Sequence, residues 1–175
     1  MSATKLKKIV FVCTGNTCRS PMAEYLLKKV LKEKKLRGFK VCSVGIKAKK
    51  GDAMNELSRQ TLLENEVAIG KFAATPITEK LLKESLFFIC MTEGHKDYLM
   101  EFRWDVLRKA GEEEIENNVY SFLELVGYDV PDPYGKGLEE YRRVYGLLEG
   151  GMSEIVENLD LKTYALPTKK RENKK

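Results

Sequence analysis

The apolar positions of this chain switch repeatedly between two periods. A continuous apolar run, Ile9-Val10-Phe11-Val12, predicts a buried strand over residues 8–12. From Met22 onward, Ala23, Leu26, Leu27, Val30 and Leu31 recur at the spacing of a helix with one packed face. Pro21 suits its first turn, Lys28, Lys29, Lys32, Glu33, Lys34 and Lys35 form its outer face, and Arg37-Gly38 ends it. Aromatic and β-branched residues predict a second strand over Phe39–Val44. A basic loop, Gly45 to Gly51, follows. Asp52 is expected to cap a helix whose inner face is Met54, Leu57, Thr61 and Leu62. Thr75-Pro76-Ile77-Thr78-Glu79 reads as another helix start, with Leu81 and Leu82 turned inward. Leu86–Met91 is apolar throughout, as a central parallel strand must be, and Thr92 caps the next helix. Val119–Phe122 predicts a short fourth strand.

From Leu138, the positions Tyr141, Tyr145, Leu148, Met152, Ile155 and Leu159 trace a long helix. Gly146, Gly150 and Gly151 interrupt it. Each weakens a helix by up to about 1 kcal/mol, and close packing against a neighbour is the expected reason for them. Strands alternate with helices throughout. The expected fold is α/β: three layers, with a four-stranded parallel twisted sheet, helices on both faces and a site at the C-terminal strand edge.

Composition narrows the possibilities. The chain has 175 residues, suited to one domain with a substantial core, expected over residues 1–160. No apolar run approaches the ~20 residues of a membrane span. The charged Met1–Lys8 stretch runs straight into the first strand, so no signal peptide is visible. Four cysteines suit a reducing compartment, and the expected location is cytoplasmic. Net charge is +5, but five cations less one anion in Lys169–Lys175 supply four of those charges. Residues 161–175 are therefore expected to be a basic, disordered tail on a nearly neutral body. That balance argues against a broad nucleic-acid surface, and neither nucleic acid nor membrane is an expected partner.

The chemistry concentrates where the first strand hands over to the first helix. There the order is Cys13, five intervening residues, Arg19, then Ser20. A loop curling into a helix N-terminus aims successive backbone N–H groups at one point and binds anions. Gly15 can take the positive φ a tight curl needs, and Asn16 tolerates a left-handed conformation better than most residues and is placed to hold the loop curled. Arg19, expected just before the helix, could grip two oxygens of a tetrahedral oxyanion. Cys13 would lie at the floor of the cradle, a setting that favours thiolate. Ser20 is expected to donate a hydrogen bond to the Cys13 sulfur; a helix N-cap is the plainer alternative, and both can hold. The pattern predicts attack of Cys13 on the phosphorus of a phosphate ester or phosphoramidate. A structural zinc on Cys13 and Cys18 lacks a second close pair among Cys42, Cys90 and His95. A nucleotide-binding GxxxxGK[ST] loop is absent. Cys42 and Cys90 fall in strand runs and read as core. His95 reads as a surface or hydrogen-bonding group rather than a catalyst.

The stretch Cys13-Thr14-Gly15-Asn16-Thr17-Cys18-Arg19-Ser20-Pro21-Met22-Ala23-Glu24 closely resembles the signature loop of the low-molecular-weight protein tyrosine phosphatases. Within that family it is most similar to the bacterial protein arginine phosphatases. The match recurs at Val130-Pro131-Asp132-Pro133-Tyr134-Gly135, and the resemblance spans residues 7 to 160. It implies a Rossmann-like fold of the phosphotyrosine phosphatase I type and a phosphocysteine intermediate. It also implies no cofactor or metal, phosphorylated proteins as substrates and inorganic phosphate as product. An Asp-Pro turn alone need mean nothing; the resemblance makes Asp132 the proton donor. It further pairs Asn16 with Ser43, and suggests a reversible disulfide between Cys18 and Cys13.

Thr17 bears on the substrate. The tyrosine phosphatases usually carry a branched aliphatic there, and the arginine phosphatases a threonine. Tyr134 followed by Gly135 gives one aromatic wall where tyrosine phosphatases commonly have two. Phosphoarginine is therefore the expected substrate and phosphotyrosine the alternative. An arsenate reductase would need further redox cysteines near Cys90. A non-catalytic phosphoresidue-binding module would have lost the nucleophile or the acid.

Overall fold

The computed structural model describes residues 5–167. Four strands, β1 (Lys7–Cys13), β2 (Phe39–Gly45), β3 (Ser85–Cys90) and β4 (Val119–Ser121), form one sheet in the order β2-β1-β3-β4. Every pairing is parallel. Seven helices accompany them among the described residues: α1 (Arg19–Glu33), α2 (Glu56–Glu64), α3 (Glu79–Glu84), α4 (Glu93–Lys109), α5 (Phe122–Val126), α6 (Leu138–Asn158) and α7 (Leu161–Tyr164). This is the expected layered α/β architecture.

Strand β1 shows why the fold closes. Side chains alternate across a strand, so Ile9, Phe11 and Cys13 join the cluster built by α1 and α6, with Met22, Leu26, Tyr141 and Leu148. Val10 and Val12 join the opposite cluster, with Leu82, Leu99 and Val106 from α3 and α4. Ile9, Val10, Phe11 and Val12 are fully buried, and each such side chain stabilises the fold by about 1.5–3 kcal/mol. Burial on both faces is the physical cause of the uninterrupted apolar run.

Several local expectations shift. Helix α1 begins at Arg19, not after it, and ends at Glu33 rather than near Arg37-Gly38. Lys35 at φ 56° and Gly38 at φ +97° turn the chain back toward β2. Asp52 does not cap α2. Asn55 does, its side chain accepting from Leu57 N at 2.9 Å. The physical reason lies in backbone pairing: Ala74 N donates to the Asp52 carbonyl and holds residue 52 beside residue 74, four positions ahead of the helix. Strand β4 stops at Ser121, because Ser121 and Glu124 form a reciprocal capping box that starts α5 at Phe122.

The expected boundary at residue 160 also moves. Leu161 is buried, the Tyr164 ring meets Phe87 edge-on with centroids 5.4 Å apart, and Leu166 N donates to the Arg37 carbonyl. The packed body therefore continues past 160, since apolar side chains at 161, 164 and 166 have a surface to cover. The rest of the expected tail, residues 168–175, lies outside the described residues.

The three glycines of α6 divide. A Cβ on Gly151 would sit 2.8 Å from Phe122 and about 3 Å from Val126, so close packing of α5 accounts for it. A Cβ on Gly146 would meet nothing within 4 Å. Opposite outcomes are expected in urea denaturation. Gly151→Ala destabilises by about 1–3 kcal/mol through overpacking, whereas Gly146→Ala stabilises by up to about 1 kcal/mol through helix propensity.

Candidate active site

The end of β1 and the start of α1 enclose a tight loop, and its shape is set from inside by one side chain. Asn16 is fully buried at φ 54°. Its Nδ2 donates to Ser20 Oγ and to Ser43 Oγ, both at 2.9 Å. Its Oδ1 accepts from Thr75 N at 2.8 Å. Ser43 in turn donates to buried Glu24 at 2.6 Å. Of the two residues suited to a positive φ, Asn16 rather than Gly15 takes it, and side-chain hydrogen bonds compensate the strained backbone. Gly45 matters for a different reason. A Cβ there would lie 2.6 Å from the Thr14 carbonyl oxygen and 2.9 Å from Asn16 N, so only glycine lets the end of β2 approach the loop. The backbone bonds Ile46 N to the Cys13 carbonyl and Lys47 N to the Thr14 carbonyl seal that contact.

Cys13 is 3% exposed, with Ser20 Oγ 2.9 Å from its sulfur and Asn16 N donating to it at 3.3 Å. Ser20 lies inside the first turn of α1 and makes no side-chain cap; Cys18 holds the N-cap position. The first N–H groups of α1 are therefore uncapped by side chains at the loop. Buried Arg19 donates through Nη1 to the Val130 carbonyl at 3.1 Å, and its Nη2 lies 3.2 Å from Asp132 Oδ2. Val130 N donates to the Met91 carbonyl, which fastens the 130–134 segment to the end of β3. Asp132 Oδ1 also accepts from Tyr134 N at 3.2 Å, and the Asp132 side chain is half exposed.

These segments enclose a cavity of about 210 Å³. Cys13, Thr14, Gly15, Thr17, Cys18 and Arg19 line it from the loop, and Asp132 and Tyr134 from the far side. Asn16, Ser20 and Ser43 stand behind the lining as its hydrogen-bonded support. Tyr134 is 71% exposed at the rim. Cys18 and Cys13 are both free thiols. The Cys18 sulfur lies 3.4 Å from the Tyr141 hydroxyl, and burial pushes the Cys18 thiol pKa up.

His95 enters the site unannounced by its sequence position. Of the two readings, surface or hydrogen-bonding group, the second holds: it is buried, with Nε2 2.8 Å from Thr14 Oγ1 and Nδ1 2.8 Å from Thr92 Oγ1. Burial, aided by the Arg19 charge and opposed by Asp132 and Asp129, pushes its pKa down to about 4. A histidine three residues after a helix-capping threonine was the signal available in the sequence. Nothing there indicated that Thr14 would be its partner. Thr75, Gly45 and Glu24 likewise carry no chemistry in the sequence and acquire a role only by packing.

Among the described residues, no cluster of three His, Cys, Asp or Glu side chains could hold a metal ion. No helix among them is long and apolar enough to cross a membrane.

Comparison with known proteins bears on this geometry. A family model described as low molecular weight phosphotyrosine protein phosphatase matches residues 8–165. A protein-arginine-phosphatase of Geobacillus stearothermophilus is 30% identical over 152 residues, covering 87% of this chain and 95% of that protein. The low molecular weight protein-tyrosine-phosphatase PtpB of Staphylococcus haemolyticus is 31% identical over 140 residues, covering 79% of this chain and 89% of its own. Among solved structures, a cysteine-to-serine mutant of YwlE arginine phosphatase with a phosphorylated active-site serine is similar. It superposes with a TM-score of 0.76 at 28% identity, covering 87% of this chain and 95% of that one.

The lowered His95 pKa has a consequence for acid stability. Unfolded chains bind a proton on histidine near pH 6.5, whereas the folded protein holds off until about pH 4. Protonation therefore favours unfolding as pH falls through that window, by up to about 3 kcal/mol. Urea titrations at pH 7 and pH 4.5 should show a smaller acid loss for His95→Gln than for the parent protein.

Proposed function

Because this chain belongs to the low molecular weight phosphotyrosine protein phosphatase family, and is thus a cysteine-dependent protein phosphatase, we propose that Cys13, Arg19 and Asp132 carry the reaction and that its substrate is phosphoarginine in proteins. The Cys13 sulfur attacks phosphorus and forms an S–P bond while the bond to the leaving nitrogen breaks. The electron pair departs with that nitrogen, which takes a proton from Asp132. Water then attacks phosphorus and gives a proton to Asp132. The S–P bond breaks, and inorganic phosphate leaves. Arg19 and the loop N–H groups neutralise the phosphoryl oxygens in both steps, the role a metal ion plays elsewhere. Ser20, 2.9 Å from the sulfur, stabilises the departing thiolate.

Arg19 is shared in this scheme. Before substrate enters, its guanidinium pairs with Asp132. A phosphoryl dianion in the loop competes for the same guanidinium and releases the carboxyl toward the leaving group. Asp132→Asn should lower kcat by about 10²–10⁴, the usual worth of general-acid catalysis. The loss should be largest for substrates with poor leaving groups, in steady-state assays across a leaving-group series. An equal loss on every substrate would remove Asp132 from the proton transfer.

The observation that carries the substrate assignment is that Thr17 lines the cavity wall, where an aliphatic side chain would instead pack against a phenyl ring. A guanidinium presents N–H donors that a hydroxyl can accept. Tyr134 offers a face on which a flat guanidinium stacks. The arginine phosphatase activity named for the Geobacillus stearothermophilus relative supports the same assignment. The second reading is phosphotyrosine, since Tyr134 stacks equally on a phenol and the PtpB relative is named a tyrosine phosphatase. The proposal includes a reducing, cytoplasmic setting, in which a thiol nucleophile persists.

Paired assays on phosphoarginine and phosphotyrosine peptides decide between them. The parent protein is expected to prefer phosphoarginine, and Thr17→Ile to shift the ratio of kcat/KM values toward phosphotyrosine by at least about tenfold, the worth of one hydrogen bond. A parent preference for phosphotyrosine would overturn the assignment.

A further inference from the structure

His95 is the only histidine of the chain, and both of its ring nitrogens are engaged. Which nitrogen carries the proton follows from a count at Thr92. The Thr92 hydroxyl oxygen caps α4 by accepting from His95 N at 3.3 Å, and its other partner is His95 Nδ1. If Nδ1 carried the proton, Thr92 Oγ1 would accept twice while its own proton had no acceptor among these partners. If Nδ1 is bare, the Thr92 hydroxyl donates to it and every group is satisfied. A neutral ring then carries its proton on Nε2, which points at Thr14 Oγ1 at 2.8 Å.

We propose that His95 is a positioning residue for phosphoryl binding: its Nε2–H donates to Thr14 Oγ1 and so turns the Thr14 hydroxyl proton into the cavity, as a donor to a phosphoryl oxygen. Thr14 lines that cavity beside Cys13 and Arg19. The opposite tautomer would have Thr14 donate to His95 and present only lone pairs to an anion. The Arg19 charge and burial both disfavour imidazolium here, so the ring acts through its dipole and its fixed direction. Residue 95 thereby couples the start of α4 to the loop after β1, across 81 positions of sequence. The inference rests on the loop being a phosphoryl cradle, as proposed above.

A single histidine makes the test direct. Two-dimensional ¹⁵N–¹H NMR of the full-length protein at neutral pH should report the Nε2–H tautomer, and a proton on Nδ1 overturns the proposal. Inorganic phosphate is the binding probe. Thr14→Val and His95→Leu should each raise its inhibition constant roughly tenfold, as for loss of one hydrogen bond to a charged oxygen. The double variant should be no worse than either single one, because both remove the same bond. His95→Gln, which keeps an amide donor, should recover most of the affinity. Additive losses at matched thermal stability, or no loss in folded His95→Leu, also overturn it. If His95→Leu fails to fold, the tautomer and Thr14→Val still decide. A parent protein that does not bind phosphate would refute the cradle itself, an outcome separate from the tautomer.

Discussion

The structure depends on one buried amide. The Asn16 side chain makes three hydrogen bonds with three different pieces of chain, donating to Ser20 in α1 and Ser43 in β2 and accepting from the backbone N–H of Thr75. Its backbone sits at φ 54°, a conformation that costs about 1–2 kcal/mol for a residue with a Cβ. Buried amides without partners are costly. The arrangement is therefore all or nothing: with every partner in place the loop holds its curl, and losing one leaves an unsatisfied group in the core. The curl points Asn16 N at the Cys13 sulfur and brings Ser20 to its other side. The setting of the cysteine is thus a consequence of how the asparagine is held.

Arg19 connects this rigid ring to a softer half. It is buried at the base of the pocket and makes one bond to a carbonyl and one ion pair to a half-exposed carboxylate. The carbonyl contact orients the guanidinium permanently. In the proposed reaction the carboxylate contact is exchangeable, because an incoming dianion would offer a stronger partner in the same place. The 130–134 segment is anchored to β3 at Val130, while Asp132 and Tyr134 reach into solvent. A fixed cradle and an exposed acid-bearing segment suit a site that must admit a side chain from a folded protein or an extended peptide.

The sheet supplies the precision these contacts need. Strand β1 is paired on both edges and buried on both faces, so its C-terminal end is a firmly held place for the sulfur proposed to react. The neighbouring strand ends bring the supporting groups with them. Strand β2 delivers Ser43 and the Cβ-free Gly45, and β3 delivers the chain that leads to Thr92 and His95. Packing of α5 on Gly151 tightens the layer behind α1.

What the sequence determined by itself was everything carried by neighbouring residues or by periodicity. The strand-loop-helix order from Ile9 to Leu31, the parallel α/β layering, the thiol-to-arginine spacing, and Thr92 as a helix cap are local properties, written in contiguous residues. The family resemblance extended this to Asp132 and Ser43. Tertiary structure decided the rest: Asn16 rather than Gly15 takes the positive φ, Asn55 rather than Asp52 caps α2, and residues 161–166 join the body. It also decided that His95 serves Thr14 and that Gly45 is required for close approach. These outcomes turn on which strand ends lie side by side and how far apart their backbones stand. Periodicity tells which face of a strand is buried, but sheet order and register choose the neighbour, and a hydrogen bond spanning tens of residues leaves no mark in the pattern along the chain.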